Sequence, residues 1–135
     1  MIKQTVTYKD IDGNEQHETL LFHFYKEEIL EMLRSGYFDQ FFEAMKDDDL
    51  KKKSKVLEDL VDKAYGFRYV DEKIDSNTGV KTTKSRFRHA TEEELEQFHD
   101  DEARGEFVFM LHTDPGKADE FISALIPNVQ KTTVI

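Results

Sequence analysis

Residues 56–68, VLEDLVDKAYGFR, constrain this chain more than any other stretch. Val56, Leu57, Leu60, Val61 and Ala64 recur at spacings of three and four, which places them on one stripe of an α-helix. Gly66 stands where a left-handed C-terminal cap would end such a helix, since glycine has no Cβ to oppose a positive φ. Tyr65 and Phe67 flank that cap. Upstream, Asp47, Asp48 and Asp49 suit a helix N-terminus, where negative charge meets the positive end of the dipole. The pattern predicts one long helix over residues 48–65 that supplies the central packing face.

The flanking segments each carry an apolar face that needs such a partner. Over residues 1–25 the pattern is a β-hairpin. Ile2, Gln4, Val6 and Tyr8 alternate with Lys3, Thr5, Thr7 and Lys9, and Leu20, Phe22 and Phe24 alternate on the return. Residues 10–14, DIDGN, supply the turn. Ile29, Leu30, Met32 and Leu33 then give a helical face over residues 25–34, followed by Gly36 as a stop. Phe38, Phe41, Phe42 and Met45 stand at i, i+3, i+4 and i+7 of a short second helix.

After Arg68 the periodicity fades. Residues 69–85 are polar with β-prone ends around Ser76, Asn77, Thr78 and Gly79, and read as a second hairpin or a mobile excursion. Thr91 and Glu94 form a capping box ahead of a helix carrying Leu95 and Phe98, which residues 99–102 interrupt. Phe107, Met110 and Leu111 resume helical spacing. Asp114 and Pro115 start a last helix with Ala118, Phe121, Ile122 and Leu125 on one stripe, and Pro127 ends it. The expected fold is α+β. One domain over residues 1–127 has the N-terminal hairpin packed on about five helices, with a loop or hairpin at 69–88. Residues 128–135 form a flexible tail.

A length of 135 residues suits one domain. The 29 acidic and 19 basic side chains leave a net charge of −10, which argues against nucleic acid and anionic membrane surfaces as ligands. The same charge favours a soluble particle, or one that escorts a basic or poorly soluble partner. With no cysteine there is no thiolate ligand or thiol nucleophile. No apolar run approaches a membrane span or a signal peptide, so the expected compartment is the cytoplasm.

Chemistry-bearing motifs are few. Asp10, Asp12, Gly13, Asn14 and Glu15 echo part of a calcium loop, but that loop needs twelve residues between two helices, and a plain turn explains them. His17, His23, His89, His99 and His112 show no zinc spacing. Gly116–Lys117 lacks the upstream glycine and the following hydroxyl of a phosphate loop. No nucleophile elbow is present. Neither a catalytic site nor a cofactor is expected. The Phe38, Phe41, Phe42 and Met45 stripe has two readings: core packing, or an adaptable apolar surface for a client segment. Phe121, Ile122 and Leu125 admit the same two.

Taken in order, these pieces resemble the tail assembly chaperones of long-tailed bacteriophages. The likeness is carried by Thr7, Tyr8, Lys9 and Asp10, by Asp12–Gly13, Glu18–Thr19, Phe22 and Phe24, by Ala64, Tyr65 and Gly66, and by Phe121, Ile122 and Pro127. It runs through nearly the whole chain. Residues 69–88 depart from it, being longer than the short Asp-Gly hairpin expected after residues 64–66. The resemblance implies a non-enzymatic protein that binds the tape measure protein, a long helical chain, while the tail tube polymerises around it. It implies action in the host cytoplasm and absence from the mature virion. Other tail proteins and self-association are open to such a surface, and the Phe stripes are its candidate contacts. The alternative is a structural tail component, such as a terminator or connector subunit in a ring.

Overall fold

In the computed structural model, which describes residues 1–126, the 56–64 stripe lies at the centre of the packing. It belongs to a helix spanning Leu50–Ala64, whose Leu57, Leu60, Val61 and Ala64 are fully buried. The helix begins two residues later than the aspartate run suggests. Asp49 is its N-cap, accepting from the Lys51 backbone N–H at 2.9 Å.

In chain order the elements are β1 (Ile2–Lys9), β2 (Glu15–Phe22), α1 (Lys26–Arg34), α2 (Tyr37–Lys46), α3 (Leu50–Ala64), β3 (Tyr65–Ile74), β4 (Lys81–His89), α4 (Glu92–His99), α5 (Glu102–Thr113) and α6 (Pro115–Leu125). The α+β class and the N-terminal hairpin match the sequence reading. The details differ: the strands form one four-stranded antiparallel sheet in the order β1-β2-β3-β4, and six helices accompany it among the described residues. The interruption at residues 99–102 splits one expected helix into α4 and α5, each with its own cap, Thr91 and Asp101. The chain end expected to be a loose tail, and the stop at Pro127, lie outside the described residues.

Gly66 is not a helix cap. The chain passes from Ala64 directly into β3, where Gly66 pairs with Leu21 on one side and His89 on the other. Its φ is not positive. A Cβ built there would run into the Arg88 carbonyl oxygen and the Phe87 ring, so the position needs glycine for close approach of backbones.

The core joins both layers. Phe22 of β2 stacks on Phe107 of α5 at 5.1 Å and meets Phe121 of α6 edge-on at the same separation. Phe107 and Phe121 close the triangle, also at 5.1 Å. Each such ring, removed from water, contributes about 2–3 kcal/mol. Tyr65 at the root of β3 stacks flat on Phe98 of α4 at 3.7 Å.

The pairing of β2 with β3 lasts two residues, Leu21–Gly66 and Phe22–Tyr65. The β1–β2 and β3–β4 hairpins therefore share a root and then separate. Beyond the root, β3 and β4 stay paired with each other as far as Ile74 and Lys81. Their side chains are largely exposed on both faces, including Tyr69, Val70 and Ile74. The second hairpin is thus a regular two-stranded arm. At its tip Gly79 has φ +67° and donates its N–H to the Asp75 carbonyl at 2.8 Å.

Candidate functional site

The two apolar stripes singled out in the sequence are mainly interior. Phe38 and Phe41 of α2 are each 1% exposed, because α2 is a short helix packed on α1 and α3. Phe42 and Met45 are half-buried and pack against the same core. Phe121, Ile122 and Leu125 of α6 are buried as well. Core packing is what these stripes do in the isolated chain. Phe121 also borders a small cleft of about 250 Å³ with Ile2, Met110 and Lys117, too small for a helical segment.

A much larger groove, about 1110 Å³, runs between α2 and α3. From α2 come Tyr37, Gln40 and the edge of Phe41; Leu50, Val56 and a polar stripe come from α3. That stripe is Lys51, Ser54, Lys55, Glu58, Asp59 and Asp62, at i, i+3, i+4, i+7, i+8 and i+11. It is the helix face opposite the buried one, so the core stripe positions it. Leu50, 68% exposed, stands at the mouth.

The walls are fixed by specific bonds. The Tyr37 hydroxyl donates to Asp59 Oδ2 at 2.8 Å, and the Lys63 ammonium lies 5.0 Å from the Tyr37 ring centre. Burial, then the bond to Asp59, pushes the Tyr37 hydroxyl pKa well above its ordinary value, so it stays a donor. At the α5 end the Arg104 guanidinium is buried and holds Asp62 bidentately, with N···O distances of 3.0 and 3.2 Å. It also reaches Glu58 at 3.4 Å. His99 Nε2 lies 2.8 Å from Asp62 Oδ2.

His99 and Asp62 form a pair, and the groove hydroxyl Ser54 Oγ donates to Glu58 Oε2 at 3.2 Å. Among the described residues no cluster of three or more potential metal ligands occurs, and no helix is long and apolar enough to cross a membrane. The sequence reading missed the groove residues. Their signal was present in the second stripe of α3, which carries lysines first and carboxylates last.

The α+β scaffold thus buries its phenylalanine stripes and leaves an open groove between α2 and α3. The chain belongs to the phage tail assembly chaperone family, whose model matches residues 1–133. No curated protein and no solved structure matches it.

Proposed function

We propose that this chain is a non-enzymatic chaperone of the tape measure protein, acting in the host cytoplasm and leaving before the virion is complete. Membership of the family over residues 1–133 carries the role in tail assembly. The α2–α3 groove supports the manner of binding. The groove wall runs along α3 from Lys51 to Asp62, about 16 Å or roughly three helical turns, long enough to seat a short helical segment lengthwise. An amphipathic segment would lay its apolar side on Leu50 and Val56, with its polar side toward the α3 stripe. The net charge of −10 would keep such a complex dispersed.

Co-expression with the tape measure protein tests this. The expected result is a soluble client that co-purifies with the chain, and a client left insoluble would overturn the proposal. Leu50→Asp tests the groove, because its exposed side chain can change without disturbing the core. It should abolish co-purification with an unchanged melting temperature. Abundant peptides of this chain in purified virions would instead favour a structural tail component.

A further inference from the structure

We infer that the α2–α3 groove is electrostatically polarised and takes a helical segment in one orientation, acidic end at Lys51 and Lys55, basic end at Asp59 and Asp62. The inference rests on the groove being the client site. It adds which chemistry the client carries and which way it lies.

The first observation is the order of charges along α3. Helices favour acids in their first turn and bases in their last. This helix has no acid in its first turn and carries Lys51, Lys52, Lys53 and Lys55 in its first half. The carboxylates Glu58, Asp59 and Asp62 follow in the second half. The capping Asp49 and the last-turn Lys63 suit the dipole, but the groove-facing stripe between them runs the other way, lysines first and carboxylates last.

The second observation is which charges remain free. Among the described residues Lys51 and Lys55 enter no ion pair, and both are exposed on the groove wall. At the other end, Glu58 and Asp62 share a single arginine, Arg104, Asp62 also meets His99, and Asp59 accepts from the Tyr37 hydroxyl without an ion-pair partner among the described residues. One end of the groove therefore carries surplus positive charge and the other surplus negative charge. From Lys51 to Asp62 the axial rise is about 16 Å, roughly three turns, so a segment of that length meets both ends at once.

A client helix with glutamates in its first turn and lysines in its last also satisfies its own dipole. Docked with charges matched, it runs parallel to α3. A uniformly acidic helix gains at the lysines and is repelled at the carboxylates, and a uniformly basic one meets the reverse.

The test uses the full chain and three synthetic peptides about three turns long, roughly 12 residues, sharing one leucine–alanine apolar face. The first has glutamates in its first turn and lysines in its last, the second only glutamates, the third only lysines. Fluorescence anisotropy at low salt should give at least about tenfold tighter binding for the first than for either other. A photo-crosslinker at its acidic end should label the region of Lys51 and Lys55. The double variant Lys51→Glu/Lys55→Glu, altering two exposed side chains, should melt no lower than the wild type and prefer the all-lysine peptide. Equal binding of all three peptides, no binding of any, or crosslinks at the carboxylate end would overturn the inference. The chaperone reading would stand independently if the tape measure protein still co-purified. Conversely, a preference among peptides without tape measure capture would sink that reading and leave the polarity intact.

Discussion

The hydroxyl of Tyr25 closes the outer edge of β4 at Phe87. It donates to the Phe87 carbonyl oxygen at 2.6 Å and accepts from the Phe87 backbone N–H at 3.1 Å. One phenol thus occupies the two groups that a further strand would use. The Tyr25 backbone N–H donates to Glu28 Oε1 at 2.9 Å, so the residue also fixes the start of α1. It couples a helix terminus to a sheet edge 62 residues away in sequence.

Tyr25→Phe keeps the ring and removes both bonds to Phe87. The partly buried N–H and carbonyl lose their partner, which costs about 1–2 kcal/mol. Urea denaturation should show the loss as a lower midpoint with an unchanged slope. Hydrogen exchange at the Phe87 amide should accelerate by more than at neighbouring amides. An unaltered exchange rate would mean that solvent serves the edge equally well.

Gly66 separates two explanations of one glycine. A left-handed helix cap would tolerate asparagine and lose about 1 kcal/mol with alanine. A strand position pressed against the Arg88 backbone has room for neither. Gly66→Ala should cost about 2–3 kcal/mol, and Gly66→Asn at least as much, by thermal unfolding. A well-tolerated asparagine would contradict the observed packing.

That glycine also marks where the sequence stops being legible. The alternation of Ile2, Gln4, Val6 and Tyr8 survives intact, because a half-buried strand writes its two faces directly into period two. Thr91 with Glu94 and Asp114 with Pro115 were equally readable, since caps depend on near neighbours. Gly66 depends on Arg88 across the sheet, and no local pattern reports that. The arm eluded a firm assignment for a related reason: with both faces wet, its strands carry no alternation. The Phe38–Phe41 stripe was visible, but periodicity gives a face without saying what covers it. Here α1 and α3 cover it, and the open surface is the polar stripe on α3.

Arg104 is the only buried charged residue among those described. Its bonds to Asp62 and Glu58 hold the α5 end of the groove. Arg104→Ala leaves two carboxylates facing each other without their cation, at a cost of about 3 kcal/mol. Arg104→Lys should recover only part of this, because an ammonium cannot make the bidentate contact. Adding Asp62→Asn to Arg104→Ala should restore more stability than the lysine does. Chemical denaturation of the three variants checks the order, and equal losses in all three would assign the cost to lost packing alone.

Glu94 predicts how acid acts on the molecule. Hydrogen bonds from Arg88, at 2.7 and 3.0 Å, and then from the Thr91 backbone N–H, lower its pKa from 4.5 to about 2. Because the folded value lies below the unfolded one, the unfolded chain takes up the proton first as pH falls. The stabilisation is therefore fully present above about pH 4.5 and is lost as pH falls toward about 2. Glu94→Gln removes the charge and keeps the side-chain length. Melting temperatures of wild type and variant should differ most near neutral pH, converge between pH 4.5 and 2, and coincide below that window. A gap of constant size across the range would show that Glu94 acts through the neutral cap with Thr91 and not through the Arg88 ion pair.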